Sequence, residues 1–274
     1  MTMPRFGALL ACACLTVLAA LPARAGWDRI QQSGSLKVAV YKEFAPFSDK
    51  GAGIDIDLAE ALAKKLGLRL TLLPFPAGEN LNDDLRNMVW KGHYLGYGPA
   101  DVMLHVPVDR RLMADNRQVE IFAPYHVETV RLVRSASAIP RFEGIDSLAG
   151  KRIGVEKVSI SGMVILGEDN GKFRDGVTIF PSAAEALDKL KAGELDAVLA
   201  NRSEIESVMR GSKGFPMHEV GFRRLPRSGW IVGMAVRKDD TDVAKLLQQA
   251  MNELAASGEL KTIFARHGVT VVTP

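Results

Sequence analysis

Gly53-Ile54-Asp55-Ile56-Asp57-Leu58-Ala59-Glu60-Ala61-Leu62, running on to Leu66 and Gly67, is the stretch that decides the fold. Ile54, Leu58, Leu62 and Leu66 recur every four residues and line one face of a helix. Gly67 supplies the stop, and Lys64 and Lys65 fall in the last turn, where cations complement the helix dipole. Upstream, Leu36-Lys37-Val38-Ala39-Val40 is a short β-type run; downstream, Leu68 to Leu73 reads as the next strand. Strand, helix and strand in that order need a crossover, which implies a parallel sheet with helices packed on it.

The same logic restarts near residue 151. Arg152-Ile153-Gly154-Val155 and Val177-Thr178-Ile179-Phe180 read as strands. Ser182-Ala183-Ala184-Glu185 has the capping-box spacing and opens a helix through Leu187 and Leu190, which Gly193 ends. Leu195 to Leu199 is a further strand. Val243, Leu246, Leu247, Ala250, Met251 and Leu254 form a long amphipathic stripe closed by Gly258. Two α/β units in one chain of this length fit two lobes of ordinary size.

The first residues point to export. Arg5 precedes an apolar run from Ala8 to Leu21, and Ala23-Arg24-Ala25 offers small residues where a signal peptidase reads. Cleavage is expected after Ala25, which makes residues 1–25 a signal peptide and the mature protein periplasmic. A lipobox-like Leu9-Leu10-Ala11-Cys12 is the competing reading. Both cysteines, Cys12 and Cys14, lie in this segment, so the mature chain has no disulfide, thiolate nucleophile or cysteine-ligated metal. Without Arg5 and Arg24 the chain has 33 basic and 32 acidic residues, a formal charge of +1. That is no footprint for nucleic acid, and Arg223, Arg224 and Arg227 read as a solvated loop.

Five segments in order resemble the family 3 extracellular solute-binding proteins, the polar amino-acid-binding group of ABC transporters. They are Phe44-Ala45-Pro46-Phe47, the Gly53–Leu62 stretch, Leu148-Ala149-Gly150-Lys151-Arg152-Ile153-Gly154-Val155, Ala186-Leu187 through Gly193 to Asp196-Ala197-Val198, and Gly233-Met234-Ala235-Val236-Arg237-Lys238. The resemblance implies an α/β fold, a two-lobed periplasmic binding protein (type II) with a two-crossing hinge. Lobe 1 would take residues 27–128 and 232–274, and lobe 2 residues 129–231. The crossings would fall near Thr129–Leu132 and Trp230–Val232. The function it implies is capture of a small anionic or amino-acid-like solute in an interlobe cleft, by a monomer that delivers it to an ABC permease.

The same resemblance implies site residues. Arg110, or Arg111 one position on, corresponds to the arginine that takes the ligand carboxylate as a bidentate fork; a plain surface arginine is the alternative. Phe44 corresponds to the stacking aromatic, or else simply packs at the lobe edge. Ser159 matches a hydroxyl that reaches the carboxylate near a helix N-terminus. His105 and Pro107 stand where the family has hydroxyl residues, and Asn201 stands where it has the acid for the ammonium. A buried ammonium without a carboxylate is costly to desolvate. Asp55 and Asp57, at a helix start, read as complements to the dipole and caps rather than a catalytic pair.

Trp90-Lys91-Gly92-His93-Tyr94-Leu95-Gly96-Tyr97-Gly98-Pro99 is an extra, turn-rich loop whose aromatics are expected to roof the cleft. With Arg86-Asn87 and Asp101 to Pro107, this region is similar to solute-binding-like proteins encoded with periplasmic quinoprotein (PQQ) alcohol dehydrogenases. An accessory role beside such a dehydrogenase is therefore the main alternative. A second is an enzyme on the same fold, as in the cyclohexadienyl dehydratases. No nucleophile elbow, P-loop or dinucleotide fingerprint is present, so no catalytic residue and no cofactor is assigned. His93, His105 and His126 have no ligand-pair spacing, so no metal is expected.

Overall fold

The computed structural model describes residues 26–223, 225 and 229–274. The expected signal segment, with both cysteines, lies outside the described residues, as do Arg224 and Arg227 of the basic loop.

Helix α1 (Gly26–Ser33) and strand β1 (Ser35–Tyr41) lead into α2 (Ile54–Lys65) and β2 (Arg69–Phe75). Next come α3 (Leu81–Leu85), continued by a π turn at Arg86–Trp90, then β3 (Val102–Pro107), α4 (Arg110–Asp115) and β4 (Val119–Glu128). The middle of the chain holds β5 (Val130–Arg134), β6 (Ile153–Glu156), α5 (Ile160–Gly167), β7 (Val177–Phe180), α6 (Ala183–Lys191), β8 (Ala197–Asn201), α7 (Arg202–Met209) and β9 (Met217–Glu219). Strand β10 (Trp230–Arg237) and helices α8 (Thr241–Ala256) and α9 (Glu259–Arg266) complete it.

The strands form two five-stranded sheets, β2-β1-β3-β10-β4 and β7-β6-β8-β5-β9. Each has a parallel part, β2-β1-β3 in one and β7-β6-β8 in the other, as the two βαβ readings require. Both sheets are buried on two faces. In the first, Val38 and Val40 join Leu58, Leu62, Val243 and Leu247 in one cluster, while Ala39 between them joins Leu85 and Met103 on the other side. In the second, Leu132 and Leu199 pack with Ile165, and their neighbours Val133 and Val198 pack with Leu187 and Leu190. Full burial of one such side chain is worth about 1.5–3 kcal/mol.

The expected strand at Leu195–Leu199 begins two residues later. The Asp196 carboxylate takes the Arg152 backbone N–H (2.9 Å) and its guanidinium (2.7 Å), and the Asp196 N–H donates to the Arg152 carbonyl (2.9 Å), leading into the strand at Ala197. Ser182 caps α6 as expected, its Oγ accepting from the Glu185 N–H at 3.2 Å.

The chain passes from the first sheet to the second at Thr129, the single residue between β4 and β5. It has returned by Trp230, which already pairs with Glu128. Gly229 at this return has φ +73°, and a Cβ there would stand 1.9 Å from the Glu128 carbonyl oxygen. Only glycine permits that approach. Beyond α9, the C-terminal tail lies across both units. Val127 N–H donates to the Val272 carbonyl (2.7 Å), the Val272 N–H donates to His126 Nδ1 (3.1 Å), and the Thr270 N–H donates to Glu206 of α7 (2.6 Å).

Candidate functional site

The carboxyl ends of the parallel strands meet between the two sheets, the place where open α/β sheets bind ligands. From the first unit, β1 ends at Tyr41 and runs into a tight loop. Phe44 and Ser48 exchange backbone hydrogen bonds of 2.8 Å, and the Ser48 hydroxyl donates to the Tyr41 carbonyl at 2.6 Å. This turn presents Phe44, which stacks on Phe47 at 5.3 Å and meets His105 edge-on at 4.7 Å. Gly53, with φ +138°, lets α2 start against it, since a Cβ there would lie 2.2 Å from the Phe47 carbonyl oxygen.

The second unit faces this loop with Glu156 at the end of β6, Ser159 before α5, Asn201 at the end of β8 and Glu204 in the first turn of α7. A cavity of about 450 Å³ is lined by Phe44 and Lys50 on one side and Glu156, Ser182 and Glu204 on the other. A second, of about 390 Å³, shares Phe44, Glu156 and Glu204 and adds Tyr41, Ser159 and Asn201. Both volumes lie in the range of small-molecule sites.

The buried acidic groups facing this cleft are carboxyls that burial holds toward the neutral form. Glu204 is 8% exposed and accepts the Asn201 N–H at 2.8 Å. Burial, with the carboxylates of Glu156 and Glu128 nearby, pushes its carboxyl up to about 8. Burial also raises Glu156 and Glu128 above the ordinary range. Glu128 takes the Thr129 N–H at 2.9 Å on one oxygen, and its Oε2 has no hydrogen-bond partner among the described residues. Beside it, His126 Nε2 lies 3.2 Å from the Ser203 hydroxyl. Burial, then the Arg202 and His105 charges, lower that imidazole to about 3, so it stays neutral.

Phe44, Ser159 and Asn201 are thus brought together at the cleft, whereas His105 and Arg110 do not line either cavity. His105 lies behind Phe44 and Phe47, 7% exposed. Its N–H donates to the Tyr125 hydroxyl (3.1 Å), which donates to Asp55 Oδ1 (3.2 Å), and its Nδ1 is 3.3 Å from Asp55 Oδ2. Arg110 begins α4 and is exposed. The Ser159 hydroxyl is engaged twice, donating to the Glu156 carbonyl (2.7 Å) and accepting from Gly162 N–H (3.0 Å). Neither aspartate at the start of α2 serves as its cap. Asp55 is 1% exposed in the Tyr125–His105 cluster, and Asp57 pairs with His267 (3.0 Å) and Arg266 (3.3 Å).

The extra loop does not roof the cleft. It precedes β3, which runs parallel to β1, with Val102 level with Val38. Asp101 takes the Lys37 N–H near the start of β1, so the loop belongs to the end of the sheet opposite Tyr41. There His93 stacks on Tyr97 at 4.2 Å, while Tyr94 and Leu95 are exposed. No group of three or more potential metal ligands occurs among the described residues, and no described helix is long and apolar enough to cross a membrane.

No family model matches the chain. The probable histidine-binding protein of Neisseria gonorrhoeae is 27% identical over 244 residues, spanning 84% of this chain and 82% of its own length. Among solved structures, an ancestral cationic amino acid solute-binding protein superposes with a TM-score of 0.69 at 19% identity, covering 88% of this chain and 98% of its own. An amino acid ABC transporter substrate-binding protein from Streptococcus pneumoniae, bound to L-arginine, gives 0.64 at 21% identity, covering 91% and 100%. The chain's relatives are family 3 solute-binding proteins. Its fold is theirs, a two-lobed α/β binding protein.

A shorter match, 42% over 71 residues, joins the chain to the cyclohexadienyl dehydratase of Pseudomonas aeruginosa, over 24% of this chain and 26% of that one. Against the pattern of the solute-binding family, Glu156 and Glu204 are the residues that sequence reasoning passed over. Asn201-Arg202-Ser203-Glu204 has the spacing of a helix cap with an acid at its third position. That signal places Glu204 beside Asn201.

Proposed function

We propose that this chain is the solute-binding component of an ABC importer, capturing a small amino-acid-like solute between its lobes. The observation that carries the reading is the pair of cavities lined jointly by both units around Phe44, Glu156 and Glu204. The relatives' own names, a histidine-binding protein and arginine-bound or cationic amino acid binders, agree with it. An anionic solute fits this cleft poorly, because its buried charges are carboxylates and its lysines, Lys42, Lys50 and Lys157, are exposed at the rim. The lobes would be residues 27–128 with 232–274, and 129–231, closing about Thr129–Leu132 and Trp230–Val232. Export through cleavage after Ala25 would place a monomer in the periplasm, with an ABC permease as partner.

A thermal-shift screen of amino acids, carboxylates, amines and alcohol-derived metabolites on the mature protein tests this. A ligand that binds the folded clamp raises Tm by mass action. Absence of any shift, with co-purification of a quinoprotein dehydrogenase, would replace the importer role by the accessory one. The short dehydratase match favours a second reading, an enzyme on this fold. Chemical turnover of a screened compound would establish it.

A further inference from the structure

We infer that the cleft is built for an organic cation whose charged nitrogen sits between Glu156 and Glu204, with Phe44 against its apolar part and no carboxylate required. The inference rests on the cleft-binding reading above and names the chemistry it selects.

Charge distribution carries it. Glu204 and Glu156 reach both cavities from α7 and β6. Behind them Glu128, 1% exposed at the end of β4, keeps Oε2 without a hydrogen-bond partner among the described residues, 4.0 Å from the neutral His126 Nε2. Among the described residues, the charged groups that bear on Glu204 are the Glu156 and Glu128 carboxyls, both unfavourable, and Asn201 supplies its hydrogen bonds. Arg202, on the same helix, is engaged by Glu206 at 3.2 Å. Burying like charges without a counterion is costly, which is why Glu204 keeps its proton at neutral pH; an ammonium or guanidinium placed between the Glu156 and Glu204 carboxyls removes that cost and releases the proton.

Among the described residues, nothing comparable waits for a carboxylate. The Ser159 hydroxyl already makes two hydrogen bonds, and Arg110 lines neither cavity. The lysines that do line them are exposed at the rim, where an ion pair contributes little.

The test is calorimetric titration of the mature protein with matched pairs: arginine and agmatine, histidine and histamine, lysine and cadaverine. In at least one pair the decarboxylated member should bind within tenfold of the amino acid or more tightly. Glu204→Gln and Glu156→Gln should each weaken that amine by about thirtyfold or more, as loss of one partner of a buried charge pair does. Two variants guard against one failing to fold. If amino acids bind while the amine of every such pair is more than tenfold weaker, the inference falls and the importer reading stands. Amine binding that both variants retain also overturns the inference. If no member of any pair binds, and the wider screen gives no shift either, the cleft-binding reading itself fails.

Discussion

Glu204→Gln should change how stability depends on pH, and the direction follows from the cleft. The native carboxyl titrates at about 8 against an ordinary 4.5, chiefly because it is buried. Between those values the folded protein holds a proton that the unfolded chain has lost. Stability attributable to this group is therefore present below pH 4.5, declines as pH rises, and is fully lost above about 8. At about 1.4 kcal/mol per pH unit the whole difference is roughly 5 kcal/mol, and water reaching the cleft brings it to roughly 3–5. Glutamine keeps an acceptor for the Asn201 N–H and has no charge to desolvate. Urea denaturation at pH 5, 6, 7 and 8 should show variant and wild type nearly equal at pH 5, with the variant pulling ahead by several kcal/mol at pH 8. Glu128 and Glu156 titrate in both proteins and largely cancel in the difference. A difference that stays flat within about 0.5 kcal/mol across this range would refute burial as the state of Glu204.

Tyr125→Phe removes the hydroxyl that joins the His105 N–H to Asp55, leaving two buried polar groups unpaired. It should cost about 2–4 kcal/mol in urea unfolding, and a loss below about 0.5 kcal/mol would count against that cluster. Phe44→Ala should weaken the ligand that the thermal-shift screen identifies by about tenfold, the value of a well-placed aromatic contact; unchanged affinity would make Phe44 a packing residue only. Arg110→Ala should leave that affinity within about twofold, because a residue outside the cavities contributes little. A loss of binding would restore the carboxylate fork that the family resemblance implies.

Legibility in the sequence followed the range of the interaction. Val177–Phe180 and the helix from Ile54 were readable because period and caps are local properties. The two-sheet division was readable from two separate βαβ patterns. Asp55 was misread as a cap since its partners, His105 and Tyr125, are 50 and 70 residues away in sequence and meet it only through the fold. The extra loop lies at the other end of its sheet from the cleft for a reason of strand direction: a loop that enters a parallel strand lies opposite that strand's carboxyl end. Asn201 drew attention as a missing acid, while the acid three residues on was overlooked, although its cap spacing was visible. Resemblance pointed Phe44, Ser159 and Asn201 to the proposed cleft, and the groups there depend on which carboxyls the fold buries together.

The proposed closure of the lobes can be measured directly, and a chain starting at Gly26 lends itself to it because both native cysteines precede Ala25. Glu60→Cys on α2 and Glu185→Cys on α6, both exposed, would carry a donor and an acceptor dye on opposite units. The cleft mechanism predicts that energy transfer rises saturably with the same ligand that raises Tm, and that Glu204→Gln shifts this rise to much higher concentration. A ligand that stabilises the protein while leaving energy transfer unchanged at saturation would contradict capture between the lobes.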